Sequence, residues 1–376
     1  MTEVKKNKKG VALQKPNNTQ HKFPYEWTLK DANFTKDKGT VFSCFACGGG
    51  STMGYKLAGF DVLGCNEIDP KMIEAYKTNH KPKYAYLEPI QTFKLRKDLP
   101  KELYNLDILD GSPPCSSFSM AGNREKDWGK EKKFREGQAE QTLDTLFFDF
   151  IDLAKELQPK VVVAENVSGL MMGSAKDYVK KIYKEFQKAG YQLRIEPYLL
   201  DSSKMGVPQK RRRVFFIAIR NDLSNQFMEQ VDMFQVAPKL DLTFNEPPIN
   251  FRKIYDGKGK PITDYKLQAW KHRKITDKGI ADSKKHAGMK VSDFNHVYLF
   301  MDKVMPTITG KAEHAMSLFN EPIKPSDTEL RKGGTYPLDY KYDGSIGYLV
   351  GMSVPPVMTA QISTKIYEQW LSKLLT

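Results

Sequence analysis

Cysteine is scarce. Four occur in 376 residues, Cys44, Cys47, Cys65 and Cys115, too few to staple a chain of this length, so a disulfide scaffold is excluded and a reducing compartment is expected. A zinc centre finds little support, because Cys65 and Cys115 form no second close pair to complement Cys44 and Cys47. Long apolar runs are missing as well, none approaching the roughly 20 residues of a membrane span. The opening stretch, MTEVKKNKKGVALQKPNNTQ, carries lysines without the apolar segment of a secretory signal. The expected location is therefore the cytoplasm, with residues 1–39 forming a basic, solvated arm. Internal repeats are absent too.

Positive charge is what the chain has in excess. Lys and Arg number 59 against 45 Asp and Glu, a formal charge of +14. A polyanionic partner explains such an excess, and nucleic acid is the commonest one; the bland alternative is a basic surface with no partner. The length suits one large core with a smaller second lobe. A content of 40% hydrophobic and 28% charged residues is that of a globular protein.

From Thr40 to Arg220 strand-like and helix-like stretches alternate. TVFSCF, FDVLGCNEI, LDILDGS, VVVAENV and RVFFIAI read as strands. PKMIEAYKTNH, TLFFDFIDLAKEL and a stretch over Asp177 to Ala189 read as helices. Short apolar runs such as Val161 to Ala164 suit strands buried on both faces. The alternation predicts an α/β fold with a doubly wound, mostly parallel sheet, and ligands in such sheets bind beyond the carboxyl ends of the strands. After Arg220 the alternation stops. Residues 221–304, with WKHRK and DSKKHAG, read as a smaller irregular lobe of the kind that carries recognition. The catalytic and cofactor-binding domain is expected over 40–220, and 305–376 is expected to return to it, ending in the helical TAQISTKIYEQWLSKLL.

The run CFACGGGSTMGYKLAGF sets three glycines between a strand and a helix, and Glu67 closes the next strand about 20 residues on, where a carboxylate can take ribose hydroxyls. Alone, this turn fits NAD, FAD and S-adenosylmethionine alike, or mere packing. The CxxC at Cys44 and Cys47 admits a redox reading, but Cys44 lies inside the apolar strand run. Further along, GSPPCSSFS holds Cys115 in a Pro-Pro-Cys turn after an apolar strand, a candidate nucleophile. VVVAENV sets Glu165 and Asn166 at another strand end, where a carboxylate can act as acid or base. GVPQKRRRVFF places Arg211 and Arg213 on one side of a strand start.

Together these residues resemble the DNA (cytosine-5) methyltransferases over most of the chain, from about Val41 to Leu375. The family's glycine motif falls on Phe45, Gly49, Gly50, Gly54, Tyr55, Ala58, Gly59 and Phe60. Its Pro-Cys motif falls on Pro114 and Cys115, its Glu-Asn-Val on Glu165 to Val167, and its Q-x-R-x-R on Gln209, Arg211 and Arg213. Its closing G-N-x-V-P-P falls on GMSVPP, Gly351 to Pro356. Three positions depart from the pattern. Cys47 stands at the first glycine, which a side chain tolerates only if φ there is not positive. Met352 replaces the closing Asn, and Pro89 follows the acidic Glu88.

The resemblance implies a Rossmann-like methyltransferase that moves a methyl group from S-adenosyl-L-methionine to carbon 5 of a flipped-out cytosine in duplex DNA, leaving S-adenosyl-L-homocysteine and needing no metal. It makes Cys115 the thiol that adds to carbon 6, Glu165 the group at ring nitrogen 3, Arg213 the holder of the base carbonyl, and Arg211 an organiser of the site. It gives the cofactor Phe45, Gly48, Gly49, Gly50, Glu67, Ile68, Glu88, Leu146, Ser353 and Val354. DNA contacts are expected from Ser116, Gln209, Arg273 and Lys274, and residues 116–141 are expected to form a loop closing over DNA. A monomer of bacterial or phage origin, with a cognate restriction endonuclease among its candidate partners, completes the expectation. The alternatives are an RNA cytosine-5 methyltransferase with the same chemistry and a DNA-binding relative impaired in catalysis.

Overall fold

The computed structural model describes residues 21–114, 131–132, 141–142, 145–172, 175–230, 233 and 236–374. Cys115, Ser116 and most of the expected loop over 116–141 lie outside the described residues.

The central sheet is built from β1 (Thr40–Cys44), β2 (Asp61–Glu67), β3 (Tyr84–Leu87), β4 (Ile108–Gly111), β5 (Val161–Val167), β6 (Tyr191–Gln192), β7 (Tyr198–Asp201) and β8 (Arg212–Arg220). Its order is β3-β2-β1-β4-β5-β8-β6, with β7 also pairing with β8. The first five strands run parallel, and β8 runs antiparallel to β5, β6 and β7. The helices α1 (Gly50–Leu57), α2 (Pro70–His80), α3 (Leu146–Leu157) and α4 (Ala175–Lys188) connect them. The expected mostly parallel sheet is present.

The two-period of a strand explains the continuous apolar runs. Val161 and Val163 of β5 enter one core, with Phe215, Ile217 and Ile219 of β8. Val162 and Ala164 enter the other, with Val214, Phe216 and Ala218. Both faces are covered, so every position must be apolar until the strand reaches its functional end. The same parity sends Ser43, Asp110 and Glu165 to one face, the one on which α1 packs against α8 (Pro356–Ile366).

Starts and stops follow local chemistry. Asp69 caps α2, its side chain accepting from the amides of Lys71 and Met72, and Pro70 takes the first helical position. β1 runs into the glycine turn, and Gly49 precedes α1 with φ 77°.

Two expectations about organisation change. The arm expected over 1–39 is packed in its described part. Phe23 and Trp27 are buried, and Trp27 Nε1 donates to the Thr335 carbonyl at 2.9 Å. The return expected at 305 begins there, since Met305–Pro306 pairs with Gln209–Lys210, and it continues through Ile308, bonded to Gln209 and Arg211, to Glu313, bonded to Ser345 and the Gly347 amide. The chain then re-enters the lobe. β9 (Val297–Leu299) pairs in parallel with β10 (Met316–Leu318), and Pro261 bridges to Ile323. Within the lobe, α5 (Asp264–Trp270) and α6 (Ile280–His286) close a small core of Ala269, Ile280 and Tyr298.

Candidate active site

The glycine turn is strained. Phe45 and Cys47 adopt φ of 53° and 49°, the left-handed region that side chains avoid, and Gly49 adopts 77°. Cys47 therefore does occupy the conformation that glycine would take for free, contrary to the expectation that a side chain there avoids positive φ. Its thiol is pushed up to about 12, first by burial and then by the neighbouring Glu67 charge. A closing of the turn on the chain's far end requires the next glycine: a Cβ on Gly50 would lie 2.4 Å from the Val354 carbonyl oxygen. This contact brings the buried Ser353 and Val354 beside the turn.

Glu67, at the carboxyl end of β2, is buried and holds the turn to that end. Its Oε2 accepts from the Cys47 amide at 2.6 Å, and its Oε1 accepts from the amides of Ile68 and Asp69 at 2.8 and 2.9 Å. Burial raises its pKa, opposed by these three amides. A carboxylate offers about four lone-pair sites, so the amides leave room for a hydroxyl donor. Glu88 lies at the end of β3, where its carboxylate pairs with Arg96 at 3.0 Å and accepts from Thr92 at 3.1 Å. Leu146, the first residue of α3, is fully buried in the core that Phe45 packs against.

A second cluster forms at the ends of β5 and β8. Glu165 lies opposite Phe215, so Arg213, two residues earlier on the antiparallel strand, projects from the same face. Arg213 Nε meets Glu165 Oε1 at 2.9 Å, both side chains mostly buried. Asn166 Nδ2 donates to the Pro113 carbonyl at 3.1 Å, pinning the Pro-Pro segment to the end of β5. Arg211 is buried, and its Nη1 donates to the carbonyls of Ile308 and Gly351 at 3.1 and 3.0 Å. Burial, followed by the Arg213 charge, lowers its pKa to about 9. Arg211 thus ties β8 to the end of α7 (Ile346–Met352), where Met352 is half-exposed.

Of the expected DNA contacts, Gln209 is buried and Arg273, partly exposed, is engaged by its own protein. Gln209 has no exposed surface; its Oε1 accepts from the Ile308 amide at 2.8 Å and its Nε2 donates to the Gly333 carbonyl at 3.3 Å. Arg273 lies over the Trp270 ring, 3.3 Å from its centre, and donates to the carbonyls of Phe319 and Trp270 at 2.6 and 3.1 Å. It is a pillar of the lobe. Lys274 is exposed.

One residue was not singled out from the sequence. Asp110 is buried at the end of β4, in register with Ser43 of β1. Its Oδ2 accepts from Ser43 and Ser51 hydroxyls, each at 2.7 Å, and its Oδ1 from the Tyr55 hydroxyl at 3.2 Å. Burial pushes its pKa up to about 6. A charged residue inside LDILDGS, where strand parity turns it inward, was the signal for it. Among the described residues no group of His, Cys, Asp and Glu could hold a metal ion.

The family model for C-5 cytosine-specific DNA methylase matches residues 39–324. Type II methyltransferase M.FnuDI of Fusobacterium nucleatum is 35% identical over 184 residues, 49% of this chain and 48% of that protein. M.NgoPII of Neisseria gonorrhoeae is 32% identical over 187 residues, half of each chain. The chain thus spans about half the length of the curated relatives it matches. Among solved structures, a DNA modification methyltransferase encoded within an E. coli prophage superposes with a TM-score of 0.60. At 19% identity it covers 88% of this chain and 99% of its own.

Proposed function

This chain belongs to the C-5 cytosine-specific DNA methylases, and on that premise we propose that it methylates carbon 5 of a flipped-out cytosine within a specific duplex DNA sequence. The observation that carries the reading is the Glu165–Arg213 pair, held beside the Asn166-pinned Pro-Pro segment that leads to Cys115.

Cytosine carbon 5 is a poor nucleophile until the ring is activated. In this reading the Cys115 thiolate adds to carbon 6, and Glu165 holds a proton at ring nitrogen 3, which leaves an enamine-like carbon 5 able to take a methyl group. Arg213, already fixed against Glu165, holds the base carbonyl. A water molecule acting as base then takes the carbon-5 proton, the freed electron pair re-forms the 5,6 double bond, the Cys115 thiolate leaves carbon 6, and ring nitrogen 3 returns its proton to Glu165. S-adenosylmethionine would supply the methyl group when bound. The buried Glu67, with its remaining acceptor site, fits a ribose hydroxyl, and Phe45, Ile68, Ser353 and Val354 border the turn beside it. The target carbon is stacked in a duplex, so the base must leave the helix to reach these groups.

The domain reading is that residues from about 40 to 220 and the segment from about 325 onward form the catalytic body, with the lobe between them reading DNA. The β9–β10 pairing and the Pro261–Ile323 bridge support carrying the lobe's end past 304. A cognate restriction endonuclease is part of this reading, as is a monomer that works in the cytoplasm of a bacterial cell. The test is transfer of a tritiated methyl group from S-adenosylmethionine into duplex DNA, with RNA in parallel. Label in DNA that disappears with Cys115→Ala supports the reading; label in RNA alone overturns the choice of DNA.

A further inference from the structure

The carboxylate of Asp110 is a buried anion with no cationic partner among the described residues. It is 4% exposed and takes three hydroxyl donors, Ser43, Ser51 and Tyr55. The titratable groups that the geometry sets against it are Tyr55 of α1, Cys44 of β1, Tyr76 of α2 and Glu165 of β5. Each is neutral or negative. Buried charges are ordinarily paired with an opposite charge, because desolvation is costly. Hydroxyl donors compensate only part of that cost, which is why the group is pushed up to about 6. Asp110 also lies where it can matter, since Ser51 belongs to the first turn of α1, directly after the glycine turn.

Resting on the reading above, we propose that Asp110 is the charge partner of a cationic cosubstrate and sets the preference for S-adenosylmethionine over its demethylated product. The methionine cosubstrate carries a sulfonium and a net positive charge, while the product is a neutral thioether with the same adenosine and amino-acid ends. An uncompensated anion behind the turn attracts the first and is indifferent to the second. Transfer of the methyl group removes the positive charge, so the same anion favours release of product. The three hydroxyls keep the carboxylate fixed and ionised in the absence of ligand.

The sign of the stability effect separates this role from a structural one. A carboxylate raised in the folded state contributes stability that is present below its unfolded pKa and is lost as pH rises through about 6. At pH 8 Asp110 therefore weakens the fold, and Asp110→Asn, which keeps the shape, should melt no lower than wild type.

Calorimetric titration of both proteins at pH 8 with S-adenosylmethionine and with S-adenosylhomocysteine decides the matter. Asp110→Asn should lose about tenfold in affinity for the sulfonium, the order of a unit-charge interaction at an effective protein dielectric, with little change for the thioether. Equal losses for both ligands would mean that the network only props the turn, and no loss for either would remove Asp110 from the site; both outcomes overturn the proposal. Should the variant fail to fold, wild type alone answers. Its affinity for the sulfonium should fall more steeply below pH 6 than its affinity for the thioether, and parallel pH profiles would contradict the charge role. Wild type that binds neither ligand refutes the methyltransferase reading itself, a result distinct from these.

Discussion

At the scale of single residues, Cys47 pays for its place in the turn. A side chain in the left-handed region costs of order 1 kcal/mol, and nothing about the amide it gives Glu67 requires a side chain. Cys47→Gly should therefore leave methyl transfer intact and raise stability by up to about 1 kcal/mol, less whatever glycine adds to unfolded-state entropy. Chemical denaturation checks this, and a large loss of activity would give the thiol a role of its own. Glu67 is the contrasting case, since its carboxylate holds three amides and, in the proposed reading, takes the ribose. Glu67→Ala should weaken S-adenosylmethionine binding by about 1.5–3 kcal/mol, the range for hydrogen bonds to a charged group, and should also lower the melting temperature because three amides lose their acceptor. Unchanged affinity by calorimetry would move the ribose elsewhere.

At the scale of elements, the strands were legible because burial on both faces leaves an unbroken apolar run, as in Val161 to Ala164. Their ends were legible because the polar residues Glu165 and Asn166 follow at once. β3, β6 and β7 carry little signal in sequence, being short, and YAYL of β3 is only partly buried and framed by lysine and proline. Side-chain destinations were harder to read. Gln209 and Arg273 look like DNA contacts in sequence, yet Gln209 is buried and the partly exposed Arg273 is held by backbone carbonyls, partners that become available only through tertiary folding. The consequence for Arg273 is specific. With its guanidinium stacked on Trp270 and bonded to two carbonyls, Arg273→Ala should destabilise the lobe by about 2 kcal/mol and weaken discrimination at all positions of the target together. Loss confined to one base pair in a substrate-variant series would instead make it a direct reader.

At the scale of the whole molecule, the sheet order places the functional ends of β1, β2, β4, β5 and β8 side by side, so the turn, Glu67, Asp110, Glu165 and Arg213 fall along one edge. The charge of +14 suits a phosphate backbone, whose contacts position the protein without choosing sequence. Binding should weaken steeply with salt, and exchanging the lobe for that of a relative should carry the methylated sequence with it. The central claim, a cysteine adduct on cytosine at this edge, is tested most directly by a duplex carrying 5-fluorocytosine in the target site, where fluorine cannot leave as a cation. Wild type with S-adenosylmethionine should form a protein–DNA adduct that survives denaturation, and Cys115→Ala should form none. An adduct that persists in Cys115→Ala, or transfer to ordinary cytosine with no adduct in wild type, would contradict the account.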